Sequence, residues 1–293
     1  DLNKSVFQNN TATISGGAVY FYSGVHTVSE VLFEGNTAGT TGGGAIYGVN
    51  NASLAIQKST TFKSNTSNTS GGAIYFTQHG QNNSISETVF DNNTSNGGSG
   101  GGAILSLSRG LVIDKTVFKN NTAEINGGAL YLNSLVSSSG TPNHADTKIS
   151  NTIFYNNLSK NTGTGANGGG AIFQTRGING ATSANTTATV VNSTFYANKS
   201  VNTSGVYSFG DLSPVKINLY NNIFYGNLQS YDIDNETGTG ADLRSATSAH
   251  QTYSYNLFQS VTSSGGNRIV VMPYYLDGTN PQPLFASTTE GAY

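Results

Sequence analysis

The chain has 293 residues and a formal net charge of −2, and only 10% of its residues are charged. Because ordinary domains carry about 25% charged residues, this composition argues against nucleic acid or an anionic membrane as an electrostatic partner. The chain has no cysteine, which excludes a disulfide framework and Cys-ligated zinc. No apolar run approaches the roughly 18 residues of a membrane-spanning helix, so we expect no direct insertion of this segment into a membrane.

A Phe followed three residues later by Asn recurs from the N-terminus onward, at steps that cluster near about 28 residues. The Phe positions are Phe7, Phe33, Phe62, Phe90, Phe118, Phe154, Phe195, Phe224 and Phe258. The Asn positions are Asn10, Asn36, Asn65, Asn93, Asn121, Asn157, Asn198 and Asn227. Self-similarity at a period of this size indicates a repeat protein.

Each repeat consists of short runs rich in Val, Ile, Thr, Tyr and Phe, separated by Asn, Gly, Ser and Thr. Such runs indicate strands and turns, and no segment shows helical spacing of apolar residues over three turns. A unit of this length is too short for a propeller blade, which takes about 40 residues or more. We therefore predict an all-β, right-handed parallel β-helix with about 8–9 coils and three short strands per coil.

The coils are predicted to occupy residues 1–258. Residues 259–293 are predicted to form a C-terminal cap or to lead into a following domain, because Pro273, Pro281 and Pro283 cannot donate to a β-ladder. The chain opens inside a strand, so we expect it to belong to a larger polypeptide that continues at both ends.

Within each repeat the Phe is predicted to point inward and the residue after it outward, because side chains alternate along a strand. The outward positions are Gln8, Glu34, Lys63, Asp91, Lys119, Tyr155, Tyr196 and Tyr225. Four of them alternate in charge on successive coils, which predicts pairing between neighbouring strands. Three tyrosines continue the same column.

A G-G-A block follows the first six F-x-x-N motifs, and a degenerate copy, Ser204-Gly205-Val206, follows the seventh. Paired glycines suit a corner with positive φ or a close approach between coils. An aliphatic residue comes next and is predicted to point inward. The residue after it is predicted to point outward, and these positions are Tyr20, Tyr47, Tyr75, Leu105, Tyr131, Phe173 and Tyr207. A strip of exposed aromatic rings is a candidate surface for a glycan or a protein. The alternative is that strands simply favour tyrosine.

Insertions between repeats are where functional loops would lie. The last insertion carries Asp232, Asp234 and Glu236 at alternate positions, like the start of a Ca²⁺ loop, although Thr237 stands where a Gly should follow. We predict a weak Ca²⁺ site there, with a solvated turn as the alternative. Glycoside hydrolases need two carboxylates about 5–9.5 Å apart, and the stacked columns pair opposite charges instead. We therefore expect no enzyme site, and no other cofactor.

The pairing of F-x-x-N, as in Phe118 to Asn121, with G-G-A-[ILV], as in Gly127 to Leu130, resembles the polymorphic outer membrane proteins and related right-handed parallel β-helix surface proteins of bacteria. The resemblance covers residues 1 to about 227, and the coils beyond it are similar to the last coils of pectate-lyase-like surface proteins. The members are autotransported adhesins, so the resemblance implies attachment at the cell surface. The lack of cysteine departs from the chlamydial members.

These features predict an extracellular, surface-displayed segment of a larger bacterial protein that acts as an adhesin or structural stalk. Its partner is expected to be a host or surface glycan or a protein receptor, bound through the lateral faces and insertion loops. The alternative is a polysaccharide lyase or hydrolase, or the carbohydrate-binding module of one.

Overall fold

The computed structural model of the chain describes residues 1–77, 83–108, 110–135, 146–163, 168–177, 186–202, 207–209, 215–233, 237–240, 243–245, 251–254 and 256–258, with only the backbone at several strand ends. These residues contain strands and turns and no helix. The strands form four sheets, numbered I to IV here in the order in which the chain visits them. One strand from each sheet makes a coil, and every pairing between successive coils is parallel within sheets I, II and IV.

Sheets I and II each have nine strands. Sheet I contains Leu2–Asn3, Val25–Ser29, Ser53–Gln57, Asn83–Ser86, Gly110–Asp114, Asp146–Ser150, Thr186–Val191, Val215–Tyr220 and Gln251–Ser254. Sheet II contains Val6–Gln8, Leu32–Glu34, Thr61–Lys63, Val89–Asp91, Val117–Lys119, Ile153–Tyr155, Thr194–Tyr196, Ile223–Tyr225 and Leu257–Phe258.

Sheets III and IV complete each coil. Sheet III contains Thr11–Ala12, Thr37–Ala38, Thr66–Ser67, Thr94–Ser95, Thr122–Ala123, Leu158–Ser159, Lys199–Ser200, Leu228–Asp232 and, antiparallel to the last of these, Thr237–Gly240. Sheet IV contains Val19–Phe21, Ile46–Gly48, Ile74–Phe76, Ile104–Ser106, Leu130–Leu135, Ile172–Gly177, Tyr207–Phe209 and Leu243–Ser245.

The parallel β-helix is therefore confirmed, with eight complete coils and the first two strands of a ninth. The prediction of three strands per coil is wrong, because each complete coil has four. The additional strand is that of sheet III, which is two residues long in its first seven copies. Two residues are too few to show the period-2 alternation by which a strand is recognised in a sequence.

The Phe column forms the centre of the core, as predicted. From Phe33 to Phe224 the Phe side chains are 0% exposed. Each ring stacks on the next with centroids 4.5–5.1 Å apart and interplanar angles of at most 9°. Buried aliphatic residues from sheets I and IV, such as Ile113 and Leu130, surround this stack. The first seven strands of sheet III contribute small residues, such as Ala123 and Ser159, on their inner side.

The Asn column forms a continuous hydrogen-bonded ladder, also as predicted. The Nδ2 of each Asn donates to the Oδ1 of the Asn on the next coil at 2.8–3.1 Å. The same Nδ2 also donates to a Phe carbonyl oxygen on the preceding coil, as Asn121 does to Phe90 at 3.0 Å. Because the Oδ1 additionally accepts a backbone N–H, each buried amide in the ladder is satisfied.

A second polar column, buried or partly buried, lies two residues before each Phe from Phe62 onward and was not predicted. It consists of Thr60, Thr88, Thr116, Thr152, Ser193, Asn222 and Asn256. The hydroxyl group donates back to a carbonyl oxygen at the preceding corner, as Thr116 does to Asp114 at 2.9 Å. A Ser or Thr that bonds its own backbone two residues away is a turn signal, and this signal was available in the sequence.

Candidate binding face

Sheet IV presents its Tyr positions to the outside because its strands alternate inward and outward side chains. Ile46 and Ile74 are buried, whereas Tyr47 and Tyr75 are half-buried and Tyr20 is 51% exposed. The ring centroids are 5.2 Å apart in both the Tyr20–Tyr47 and the Tyr47–Tyr75 pair. We call Tyr20, Tyr47 and Tyr75 the tyrosine face.

The rings of the tyrosine face are not parallel. Tyr20 and Tyr47 are tilted by 33°, and Tyr47 and Tyr75 are T-shaped at 83°. In a T-shaped pair the edge of one ring covers a face of the other, so the first ring keeps its own faces uncovered by that partner. In the tyrosine face, at least one ring therefore has faces that are not covered by its T-shaped partner.

Two glycines lie beside the tyrosine face. A Cβ at Gly42 would lie 2.9 Å from Cδ1 of Tyr75, and one at Gly16 would lie 3.2 Å from Cβ of Tyr47. The lack of a side chain at these two positions therefore leaves space for the two tyrosines.

Further along sheet IV the predicted exposure of the column is wrong. Tyr131 is 7% exposed and Phe173 is 2% exposed, and both join Leu105 in a second apolar cluster. The alternation of residues along a strand predicts only that these side chains point away from the main core. It does not predict whether they are then buried in a second cluster on the outer side of the sheet. The two aromatic rings present almost nothing to solvent.

Tyr207 was also placed wrongly. Its backbone pairs with Ile172, an inward position, and Ser208 pairs with the outward Phe173. The reason is spacing: Tyr207 follows Phe195 by the same number of residues as the inward Leu130 follows Phe118. The altered sequence Ser204-Gly205-Val206 replaces Gly-Gly-Ala and led to the one-residue error.

The other tyrosine column lies on sheet II and has a different geometry. Tyr155, Tyr196 and Tyr225, called the tyrosine stack here, are half-buried and in register on successive coils. Their ring centroids are 5.5 and 5.9 Å apart and their planes are within 9° of parallel. Parallel rings cover one another, so mainly their edges point outward.

The charged residues of the same sheet II column pair as predicted. Nζ of Lys63 lies 2.7 Å from Oε1 of Glu34, and Nζ of Lys119 lies 3.5 Å from Oδ2 of Asp91. The hydrogen bond from Lys63, followed by the one from Gln8, holds the pKa of the Glu34 carboxyl below its ordinary value. These exposed pairs align neighbouring coils.

Burial disfavours the ionised form of two phenols of the tyrosine face. Desolvation, and then the neighbouring Tyr75 and Tyr20, raise the pKa of Tyr47 to about 12. Desolvation and then Tyr131 also raise the pKa of Tyr75. At neutral pH Tyr47 and Tyr75 therefore carry neutral hydroxyl groups.

The surroundings of the tyrosine face are uncharged as well. Residues 9–29, 35–57 and 64–77 contain no Asp, Glu, Lys or Arg. These stretches supply the strands of sheets III and IV in the first three coils and two complete strands of sheet I. The charges of this part of the chain lie instead along sheet II and the corner before it.

Metal binding finds no support in the described part of the chain, where no group of three or more His, Asp or Glu side chains could hold an ion. The Ca²⁺ prediction falls outside that part, since Asp234, Glu236 and the side chain of Asp232 are not described. It stays a prediction, for which a melting temperature lowered by EDTA is the check. No helix within the described ranges is long and apolar enough to cross a membrane.

Five segments of the chain match the family model of the Chlamydia polymorphic membrane protein (Chlamydia_PMP) repeat, over residues 4–22, 30–49, 59–77, 87–107 and 115–133. Together these segments make up about a third of the chain. The five matched segments lie in the first five coils, one in each coil. Searches of curated proteins and of solved structures returned no match. The family points to the outer membrane or the cell surface.

Each polymorphic membrane protein repeat corresponds to a definite part of a coil. Every matched segment spans the strands of sheets II, III and IV and leaves out the strand of sheet I. The repeat begins near the corner that precedes the Phe and ends with the strand that carries the Tyr position. The residues that define the repeat, Phe, Asn, Gly-Gly and the aliphatic residue, are used to build the coil.

Proposed function

We propose that this chain is an extracellular, surface-displayed β-helix segment of a larger bacterial protein, and that it acts as an adhesin. In this proposal the β-helix displays the tyrosine face outside the bacterial cell, and the tyrosine face binds a partner. The polymorphic membrane protein repeats support the surface location.

The observation that carries the binding role is the tyrosine face itself. Three aromatic side chains stand in a row on the outer side of sheet IV, and Tyr47 and Tyr75 within this row are half-buried. Tyrosine supplies a large contact area at a low cost in conformational entropy, which is why it is enriched in binding surfaces. The alternative is that tyrosine is there only for strand stability, and an adhesion assay separates the two roles.

The distribution of the repeat residues supports the same conclusion. The F-x-x-N and G-G-A residues are buried, in the Phe stack, the Asn ladder and the glycine corners. They cannot contact a partner in the folded chain, so recognition falls to the outward positions between them. Substitutions in the repeat residues would affect adhesion through folding.

The test is adhesion of the purified chain to host cells, with Tyr20→Ala/Tyr47→Ala as the variant. We expect the variant to keep its melting temperature within a few degrees and to lose most of its cell binding. The comparison variant is Tyr196→Ala in the tyrosine stack, which removes the same side chain from a column of parallel rings. Equal binding by the double variant and the parent chain would overturn the proposal.

The alternative, a polysaccharide lyase or hydrolase or its binding module, predicts a different outcome. Incubation with pectin, alginate and host glycans would then release product. Retention of a glycan without turnover favours the adhesin.

A further inference from the structure

We propose that the ligand of the tyrosine face is an uncharged polysaccharide that lies parallel to the axis of the β-helix. This inference rests on the proposed function, and it names the chemical class and the direction of the ligand. Three observations carry it: the ring geometry, the absence of charge and the alignment of the rings.

The ring geometry favours a sugar. A saccharide ring presents C–H groups on its faces and hydroxyl groups on its rim, so an aromatic ring face packs against it while polar groups bond its rim. The 83° angle between Tyr47 and Tyr75 means that one ring of this pair keeps its faces free of the other, and Tyr75 also packs against the second apolar cluster. The tyrosine stack, with its planes within 9° of parallel, lacks that arrangement.

The absence of charge favours a neutral sugar. Anionic polysaccharides are bound by Lys and Arg, which form charge-assisted hydrogen bonds with carboxylate and sulfate groups. Residues 9–29, 35–57 and 64–77 contain neither Lys nor Arg, and no Asp or Glu that would attract a cationic ligand. An anionic chain would lose its hydration on this face and gain no counter-charge in return.

The alignment of the rings sets the direction and the length of the ligand. The three rings come from successive coils, in register from Tyr20 to Tyr47 to Tyr75, so their row runs along the axis of the β-helix. Two steps of 5.2 Å give a row of about 10 Å between the outer ring centres. A monosaccharide covers one ring, and a chain of several sugars is needed to contact all three.

The row ends where sheet IV becomes covered. In the fourth coil the column position is Leu105, which is buried. The binding row is therefore bounded on that side, and affinity should stop rising once an oligosaccharide spans the three rings.

The experiment is affinity electrophoresis of the purified chain in gels that contain a neutral polysaccharide (mannan, a β-glucan or a soluble chitin oligomer series) or an acidic one (alginate or heparin). We expect retardation in at least one neutral gel and none in the acidic gels. Along an oligomer series the affinity should rise with length and then level off.

The variants locate the site on the rings. Tyr47→Ala should weaken the retardation about fivefold to tenfold, since it removes the central ring of the row. Tyr47→Phe keeps the ring and should retain most of the binding. Tyr196→Ala should change the retardation by less than about twofold. A larger loss with Tyr196→Ala than with Tyr47→Ala would move the site to the tyrosine stack and overturn the assignment.

A second measurement separates this inference from the proposed function. Host cells are treated with periodate, which destroys surface glycans, before the adhesion assay. Loss of adhesion to treated cells supports the polysaccharide. Adhesion that survives periodate but is lost in Tyr20→Ala/Tyr47→Ala indicates a protein partner, which overturns the polysaccharide and leaves the adhesin. Adhesion that survives both the periodate treatment and the double tyrosine substitution overturns both the polysaccharide ligand and the role of the tyrosine face in adhesion.

Discussion

At the scale of single residues, the Asn ladder shows how a polar side chain is made compatible with a core. Asn121 accepts the backbone N–H and the Nδ2 of Asn93, each at 3.0 Å, and donates to Asn157 and to the Phe90 carbonyl oxygen. Its side chain is 0% exposed. Burial of an amide costs free energy unless its groups are bonded, and here the repetition of Asn on every coil supplies the partners.

Asn121→Ala should therefore destabilise the chain by about 1–3 kcal/mol, because it strands polar groups of Asn93, Asn157 and Phe90. Chemical denaturation measures the change, and hydrogen exchange should show faster exchange of the Asn93 backbone amide, which loses its acceptor, the Oδ1 of Asn121. The control is Asn120→Ala at the adjacent corner. Asn120 has a φ of 57°, and the equivalent corner in the seventh coil is already an alanine, Ala197, at 52°. Unchanged exchange in the Asn121 variant would mean that the ladder does not bind these groups.

Tyr47 supplies a pH-dependent prediction. Its pKa is raised to about 12 by burial and by the neighbouring tyrosines, whereas a tyrosine in an unfolded chain titrates near pH 10. Between about pH 10 and pH 12 the unfolded state therefore binds fewer protons than the folded state, so stability falls as the pH rises. Tyr47→Phe should make the chain less sensitive to this pH range. Equal pH dependence of the melting temperatures of variant and parent would show that Tyr47 is not desolvated.

At the scale of the strand and the corner, each glycine of the G-G-A block has its own function. The first glycine takes a positive φ, as Gly71 does at 64°. The second glycine permits close approach, since a Cβ at Gly72 would lie 2.0 Å from the carbonyl oxygen of Gly102 on the next coil. The sequence predicted both properties for the pair, and the structure assigns one to each member.

Gly72→Ala should force neighbouring coils apart and destabilise the chain by about 1–3 kcal/mol or more, the cost of overpacking. The control is Gly48→Ala in sheet IV, where the new methyl group would meet the Phe76 ring at 3.4 Å, an ordinary contact. Denaturation of both variants checks the prediction. If Gly48→Ala cost as much as Gly72→Ala, close approach of the backbone would not be the reason for the glycine.

Some strands and the burial of some outward side chains could not be predicted from the sequence. A period of repeated Phe and Asn was enough to predict the β-helix, the number of its coils and the inward columns. The two-residue strands of sheet III, such as Thr122–Ala123, carry too little pattern to be recognised. The burial of Tyr131 involves residues distant in sequence, Leu105 and Phe173, which join it in the second apolar cluster. Local alternation therefore predicted the side of the sheet but not the exposure.

At the scale of the whole molecule, the charges are organised by coil along sheet II and the corner before it. The second coil carries Glu30 and Glu34, and the third carries Lys58 and Lys63. The fourth coil is again negative and the fifth again positive, through Glu87, Asp91, Lys115 and Lys119. The sixth to eighth coils replace both positions by Asn and Tyr. Because a solenoid coil contacts only its neighbours, alternating signs favour each correct neighbour and leave the tyrosine face neutral.

Reversing the sign of the charges on one coil should therefore destabilise the β-helix, by an amount that depends on the salt concentration. Lys58→Glu/Lys63→Glu would place a negative coil between two negative coils and replace the 2.7 Å ion pair of Lys63 with Glu34 by repulsion. We expect a loss of stability at low ionic strength, seen as a lower melting temperature, because repulsion replaces the weak attraction of an exposed pair. The loss should shrink in 1 M salt, where the screening length is about 3 Å.

The control for this reversal is Lys58→Gln/Lys63→Gln, which removes the attraction without adding repulsion. Its melting temperature should lie between those of the parent and the reversed variant at low salt, and the three melting temperatures should converge as salt is added. Melting curves over a salt series measure the effect. A reversed variant that is as stable as the neutral one at low salt would show that the alternation of charge does not govern the order of the coils.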